Sequence, residues 1–421
     1  IDMSKISVVG LGYVGLPLAL LISKKGHEVV GIDLDQRKVT KINNRQDPLD
    51  DDYVANNIAD TALKASINPQ FIAESDIAII CVPTPIKKGG HPDLTILKNA
   101  VTLVGKHLKK DSLVVIESTI NPGVCDGIII PILEAVSNLQ INKDFWVSHC
   151  PERINPGDHK WTVENIPRVI GSSTTEGLHR TRLFYESIIN APITSMATLK
   201  EAEAVKIVEN SFRDINIAFV NELAMSFTKL GINIKNVING ASTKPFGFLP
   251  HYPGVGVGGH CIPVDPYYLI EYARGYGFEH EFMNLARNIN NHMPEFTAGR
   301  LIEGLHEADL SIEGALVTVL GLSYKPNVAD DRESPSYKLI AILKAKGAKI
   351  EIYDPYFPAK STAASLKTAI SNKQAVIVAT CHNEFLDLPK QLSTKVLIDG
   401  MNMFTKKDFS QSGIIYKGLG T

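Results

Sequence analysis

The stretch Pro253-Gly-Val-Gly-Val-Gly-Gly-His-Cys-Ile-Pro-Val-Asp-Pro266 sets one thiol, Cys261, behind four glycines and four residues ahead of a carboxylate, Asp265. Glycine has no Cβ, so it permits positive φ and lets the backbone approach a ligand closely. A run of glycines also costs folding entropy, so the stretch reads as a tightly bent loop presenting a sulfur and backbone N–H groups to a substrate. Taken alone it fits two roles. Cys261 is either a nucleophile, which needs partners elsewhere in the chain, or a small apolar side chain buried after a hinge.

A second constellation opens the chain. Lys5–Val9 is a β-branched run, Gly10-Leu-Gly12-Tyr13-Val14-Gly15 starts an apolar helical pattern that ends at Gly26, and Glu28–Ile32 is a further strand with Asp33 at its end. Strand, glycine turn, helix, strand and acid within about 30 residues form a dinucleotide-binding fingerprint. Gly10 makes the turn, Gly12 lets the backbone reach a pyrophosphate, and Gly15 permits close helix–strand packing. Free N–H groups at the helix start suit phosphates. Asp33 would hold the ribose hydroxyls and repel a 2′-phosphate, which favours NAD over NADP. Tyr13, Val14 and Arg37 complete this expected cofactor set.

Buried strands are expected at 76–82 and 112–117, and ligands of open α/β sheets collect at the carboxyl ends of such strands. Thr84, Ser118 and Thr119 fall there, as ligand contacts or as ordinary turn hydroxyls. Glu152 and Arg153, in a Pro/Gly-rich loop (Pro151–Gly157) after the apolar run at 145–147, are an acid/base candidate with its neighbour or a surface ion pair. Thr198-Leu-Lys-Glu201 is a capping box opening a helical pattern to about Leu230, stopped by Gly231. Lys206 and Asn210, four apart, share one face of it, and Arg213 and Asp214 extend that polar surface. Its apolar residues exceed what one face needs, which suits a dimer-forming spine. A second helical pattern runs from Phe282 to about Glu307. A second α/β unit starts near 315, with strands at 315–320, 349–353, 375–379 and 396–398. It lacks the glycine fingerprint, and its Lys325 and Arg332 are placed to meet phosphates.

These elements give an α/β chain of two Rossmann-like doubly wound domains joined by a central long-helix region, with boundaries expected at 4–197, 198–307 and 308–421. A length of 421 residues agrees with two or three domains. The net charge of −2, from 43 basic and 45 acidic residues, gives no electrostatic case for nucleic acid or an anionic membrane. No apolar run suits a membrane span or a signal peptide. Five scattered cysteines without CxxC pairing argue for a reducing, cytoplasmic setting and against disulfides or a zinc site. Ile1-Asp2 ahead of Met3 is read as foreign to the fold.

Gly10–Gly15, Val82-Pro-Thr84-Pro, Glu117-Ser-Thr119, Pro151-Glu152, the Lys206/Asn210 helix, Gly258-Gly-His-Cys261 with Asp265, and Lys325…Asp330-Asp-Arg332-Glu-Ser occur in that order. Together they resemble the UDP-glucose/GDP-mannose dehydrogenase family over essentially the whole chain. The resemblance implies an NAD-dependent four-electron oxidation of a sugar-nucleotide CH₂OH to a carboxylate, in a homodimer or larger homo-oligomer. It implies Cys261 as nucleophile, and Lys206, Asn210 and Asp265 as the groups that polarise oxygen and position water. It sets Thr119 and Glu152 near the reacting carbon, Lys325 on the UDP phosphates and Arg332 on the cofactor.

UDP-glucose 6-dehydrogenases have Gly-Gly-Ser-Cys followed by Lys-Asp, where this chain has His260-Cys261 and Val264-Asp265. The His260 form is similar to the branch acting on UDP-N-acetylhexosamines, and Pro151–Gly157 and Phe246–Pro250 point toward its UDP-GlcNAc and UDP-GalNAc members. Expected substrate contacts are Glu152, Arg153, Lys206, Asn210, Gly258 and Lys325, with Phe248, Leu249 and Tyr252 as an apolar wall for an acetamido methyl. UDP-ManNAc and UDP-glucose remain alternatives, because no spacing reads the C2 and C4 stereochemistry. Readings of another kind are a two-electron hydroxyacid-type dehydrogenase, an epimerase and a non-catalytic NAD-binding protein.

Overall fold

The computed structural model describes residues 4–87, 90–154 and 160–421, so Asn155, Pro156 and Gly157 of the Pro/Gly-rich loop lie outside the described residues. The chain forms two compact units. One runs to Glu209 and includes Tyr267–Phe278; the other comprises Asn210–Pro266 and Glu279–Thr421.

The first unit is built on strands β1 (Lys5–Val9), β2 (Glu28–Ile32), β3 (Lys64–Ser66), β4 (Ile77–Ile80), β5 (Ser112–Ile116), β6 (Phe145–His149), β7 (Arg168–Ser172) and β8 (Ile193–Ser195). Their order is β3-β2-β1-β4-β5-β6-β7-β8. Every pairing is parallel except β6 with β7. Helices α1 (Gly15–Lys24), α2 (Gln36–Asn43), α3 (Asp52–Asn57), α4 (Thr95–His107), α5 (Ile130–Ser137) and α6 (Thr175–Ile188) connect them. Ile6 and Val8 pack into one apolar cluster with Leu16 and Leu20, while Val9 packs into another with Ile80, Ile116 and Phe145. Burial on both faces is why these strands read as continuous apolar runs. The chain leaves β1 for β2 on one side and later adds β4 on the other. That reversal is where open sheets of this kind gather ligands.

Helix α7 (Leu199–Leu230) starts at the expected capping box, with Glu201 N–H donating to Thr198 Oγ1 (3.1 Å) and Thr198 N–H to Glu201 Oε2 (3.0 Å). Gly231, at φ +67°, ends it. The expected boundary at 197/198 falls at its start, whereas the compact units change over within it, at 209/210. Helices α8 (Ile234–Ala241), α9 (Asp265–Arg274), α10 (Glu281–Glu307) and α11 (Pro335–Ala345) follow. The second unit's sheet holds β9 (Leu316–Leu320), β10 (Lys349–Tyr353), β11 (Ala375–Val378), β12 (Val396–Asp399) and β13 (Ile415–Gly418), all parallel, in the order β10-β9-β11-β12-β13. The architecture is two Rossmann-like α/β sheets with a long helix between them in sequence. Among the described residues no helix is long and apolar enough to cross a membrane.

One expectation about α7 changes. Asp214 is not on a solvated face: it is 1% exposed and pairs with Arg287 Nη1 at 2.5 Å. Arg287 lies on α10, and burying a charge is tolerated when its partner is buried with it.

Candidate active site

The turn after β1 is shaped as a phosphate cradle. Gly10 has φ +94°, and a Cβ there would stand 2.7 Å from the Cys81 carbonyl oxygen. A Cβ on Gly15 would collide with the Gly10 carbonyl, so Gly15 is what lets α1 sit against the turn. Gly12 faces open space. Val14, at the N-cap of α1, supplies no side-chain cap. The first N–H groups of that helix therefore suit an anion, and the residues present fit the pyrophosphate of NAD. Asp33 Oδ2 accepts from Leu11 N–H (2.9 Å) and from Lys38 Nζ (2.8 Å), and its Oδ1 from Asp35 N–H (3.0 Å). Burial alone would raise this carboxyl's pKa; Lys38 and the two backbone donors more than offset it and hold it below the ordinary value. Lys38 was not singled out in the sequence, though it lies one helical turn beyond the acid. Arg37 is exposed on α2, and Tyr13 donates its hydroxyl to the Leu49 carbonyl (3.2 Å).

The loops after β4 and β5 are stitched together. Thr84 Oγ1 donates to the Thr119 carbonyl (2.7 Å), while Ser118 Oγ accepts from Val82 N–H (3.0 Å) and donates to the Val82 carbonyl (2.8 Å). Both hydroxyls thus serve the loop framework, and Thr119 is half-buried beside them. Glu152 is buried and binds Arg168 Nη1 through Oε2 at 2.6 Å, while its Oε1 accepts the N–H groups of Arg153 and Ile154 (2.5 and 2.6 Å). Arg153 turns to Glu209 on α7, with Nε 3.3 Å from Oε2, and donates from Nη1 to the Pro167 carbonyl (2.9 Å). Lys206, half-buried on α7, pairs with no side chain among the described residues. Arg168 on Glu152, and Glu117 and Tyr185 behind it, were not given roles from the sequence. An arginine heading the apolar strand Arg168–Ser172 was the available signal.

The thiol loop belongs to the second unit. Its glycines are there because the loop lies flat on the segment 324–335. A Cβ on Gly258 would stand 2.7 Å from the Tyr324 Cβ, and one on Gly259 (φ +89°) 2.8 Å from the Tyr324 ring. Gly259 N–H donates to the Arg332 carbonyl (2.9 Å), and Gly254 N–H to Asn221 Oδ1 (3.1 Å). Asn221 Nδ2 donates to Asn290 Oδ1 (2.9 Å), and Asn290 Nδ2 to Asp214 Oδ1 (2.8 Å). A buried polar chain from α7 and α10 thus holds the loop's start. At its end the Cys261 carbonyl accepts the N–H groups of Val264 and Asp265 (3.0 and 2.8 Å), which turns the chain into α9. Cys261, partly exposed, therefore stands just ahead of a helix N-terminus, where negative charge is favoured. Asp265, 2% exposed, accepts from Asn210 Nδ2 at 2.5 Å.

Cys261, Asn210, Asp265, Gly258 and the Lys325–Arg332 segment thus fall within one unit, and Thr119, Glu152, Arg153 and Lys206 within the other. Arg332 is forked onto Asp330 (Nε–Oδ1 2.9 Å) with its side chain 46% exposed, and Lys325 is half-buried in the turn after β9. Phe248 packs on the cluster of Val220, Ala224, Ile234 and Ile238, so it holds its own segment in place. Leu249 and Tyr252 are exposed, and the Tyr252 hydroxyl donates to Asn239 Oδ1 (3.1 Å).

Models of the three domains of one family match this chain in order. They are the NAD binding domain at residues 4–189, the central domain at 200–292 and the UDP binding domain at 318–406. The chain belongs to the UDP-glucose/GDP-mannose dehydrogenase family. As a member, it is an NAD-dependent UDP-sugar dehydrogenase. It is 40% identical over 349 residues to Protein CapL of Staphylococcus aureus, covering 83% of this chain and 81% of that one. A UDP-N-acetyl-D-glucosamine 6-dehydrogenase of Pseudomonas aeruginosa is 36% identical, covering 91% and 92%. The UDP-N-acetyl-D-mannosamine dehydrogenase of Pyrococcus horikoshii is 35% identical over 99% of both chains. A solved structure of UDP-D-ManNAc dehydrogenase from the same organism superposes with a TM-score of 0.92 at 34% identity, over 99% of each chain.

Proposed function

We propose that this family member oxidises the C6 hydroxymethyl group of a UDP-N-acetylhexosamine, UDP-GlcNAc or UDP-GalNAc, to the carboxylate, with Cys261 holding the aldehyde stage covalently. The observation that carries this reading is the setting of the thiol: a glycine-rich loop, a helix start behind it, and a buried Asp265–Asn210 pair four residues on. A two-electron dehydrogenase has no use for such a thiol. The glycine turn after β1 and Asp33 would hold NAD⁺, which would supply the hydride acceptor for both oxidations.

The first oxidation leaves an aldehyde. The Cys261 sulfur bonds to its carbon to give a thiohemiacetal, whose loss of a second hydride gives a thioester. Water then attacks the thioester carbonyl, the C–S bond breaks, and the thiolate leaves with the carboxylate product formed. Cysteine suits both bond formation and departure. Asn210 and Asp265 would position the attacking water, and the Lys206 ammonium would stabilise the oxyanion, a contribution of about 3–4 kcal/mol. Thr119 and Glu152 would flank the reacting carbon, with Glu152 as base, and Lys325 would hold the UDP phosphates. The uronic acid product suits a capsule or O-antigen polysaccharide.

Counting NADH per UDP-sugar tests the chemistry: about two supports the covalent route, one supports a two-electron dehydrogenase, and none an epimerase. Comparing kcat/KM for UDP-GlcNAc, UDP-GalNAc, UDP-ManNAc and UDP-glucose tests the substrate. A methyl-sized apolar contact is worth about 1–3 kcal/mol, so an acetamido sugar should lead glucose by at least about tenfold. Glucose in front of every acetamido sugar would sink the assignment. A second reading, UDP-ManNAc, is favoured by the likeness to the Pyrococcus protein.

A further inference from the structure

Behind Glu152 lies a second carboxyl that the chemistry above does not use. Glu117 follows β5, and its side chain is fully buried, as is that of Arg168 at the head of β7. One guanidinium nitrogen, Arg168 Nη1, faces both acids, 2.6 Å from Glu152 Oε2 and 3.8 Å from Glu117 Oε2. The Tyr185 hydroxyl, from α6, donates to Glu117 Oε1. Glu117 Oε2 has no hydrogen-bond partner among the described residues. Two carboxylates around one guanidinium would leave a net negative charge sealed from water, which is costly. A proton on Glu117 neutralises the cluster, and it suits Oε2, which the Arg168 guanidinium approaches only to 3.8 Å.

We infer that Glu117 is a positioning residue that holds a proton behind Glu152, so that Arg168 is left to pair with Glu152 alone. The groups facing Glu117 are Cys81 after β4, Cys150 after β6, Tyr185, Arg168 and Glu152. Burial keeps Cys81, Cys150 and Tyr185 protonated at neutral pH. That leaves Glu117 as the group of this cluster that titrates near neutral pH. Burial first, and then the neighbouring Glu152, push Glu117 up to about 7 against the pull of Arg168. The inference rests on the reading of Glu152 as a group at the reacting carbon. Loss of the Glu117 proton near neutral pH would put a second charge on Arg168 and so change the setting of Glu152.

The test uses the NAD⁺-loaded enzyme. Infrared titration of the wild type should show a protonated-carboxyl absorption that disappears as pH rises through about 7. Glu117→Gln keeps an acceptor for the Tyr185 hydroxyl but cannot ionise, so that absorption should be missing. The pH profile of kcat should lose its step near neutrality, with KM for both substrates changed by less than about twofold. Tyr185→Phe, which removes a donor to the charged form, should move the absorption's disappearance to higher pH, and it serves should Glu117→Gln fail to fold. No protonated carboxyl in the wild type at pH 6, or a neutral-pH step surviving in Glu117→Gln, overturns the proton on Glu117. Wild-type turnover in Glu152→Gln, with the absorption of the native enzyme titrating as described, would instead overturn the role of Glu152 and leave the proton on Glu117 standing.

Discussion

Cys261 has two tasks in the proposed reaction, bond formation and departure, and a serine oxygen does both less well. Cys261→Ser should lower steady-state NADH production by about a hundredfold or more. A wild-type rate in that variant would remove the covalent step. Asp33 is the other residue whose type sets an outcome. Its replacement by alanine removes the ribose acceptor and also frees the Lys38 ammonium, now 2.8 Å away. KM for NAD⁺ should rise by about tenfold, the scale of one lost hydrogen bond, and NADP⁺ should gain in relative kcat/KM. Unchanged discrimination between the two cofactors would show that another group excludes the 2′-phosphate. The glycine turn after β1 and the acid at the end of β2 were legible because local spacing places them, whereas the Asn210–Asp265 hydrogen bond joins residues 55 apart that no spacing pairs. Arg153 and Arg332, both expected on ligands, also meet carboxylates, Glu209 and Asp330. Glu209 lies far along the chain from Arg153, and which distant acid a cation meets is decided by tertiary packing. The burial of Glu117 against Arg168 was hidden for the same reason.

At the scale of elements, the turn after β9 that presents Lys325 is organised from beneath by one buried acid. Asp354 Oδ2 accepts from Leu322 N–H (2.6 Å), Ser323 N–H (2.9 Å) and Ser323 Oγ (3.1 Å), and His382 Nε2 lies 3.1 Å away. Burial works against its ionisation, but His382 and the backbone donors prevail and hold its pKa at about 2. A carboxyl held below its unfolded value stabilises the fold above that value and loses the contribution as pH falls through the folded one. Asp354→Asn should therefore cost on the order of 2 kcal/mol at neutral pH. Its deficit against wild type, read by denaturant melts, should shrink as pH falls from about 4 toward 2. A deficit constant with pH would mean that the charge is not what matters. The long parallel strands and α7 were legible from their apolar runs and capping box. The strands β3, β7, β8 and β13 and the helices α8 and α9 were not. β3 and β8 have three residues each, too few for a period, and α9 begins inside a Pro/Gly-rich stretch that reads as loop.

At the scale of the molecule, α7 leaves a stripe of large apolar side chains uncovered. Val208, Phe212 and Phe219 are 56%, 48% and 53% exposed, and a spacing of four and seven sets them on one side of the helix. Ile207 and Val220, apolar residues of the same helix, are buried in the chain itself. A stripe of this kind is what a second copy would cover. Light scattering at micromolar concentration should give at least twice the 46.0 kDa chain mass, and Phe212→Glu with Phe219→Glu should lower it. A single-chain mass for the wild type would refute the dimer.

The thiol loop is tied at both of its ends, by Asn221 at Gly254 and by the Arg332 carbonyl at Gly259. That makes it unusual in its tolerance of length. Surface loops generally accept inserted residues at small cost, because closure entropy grows slowly. Here one residue added between the two ties has nowhere to go and would displace the sulfur by up to about 3.5 Å, a full residue's reach. The exposed segment 242–247 should accept a change of length at little cost, while the count of residues from 254 to 261 is part of the chemistry. A single glycine inserted after Gly256 should abolish turnover and leave NAD⁺ binding intact, whereas the same insertion after Lys244 should be nearly silent.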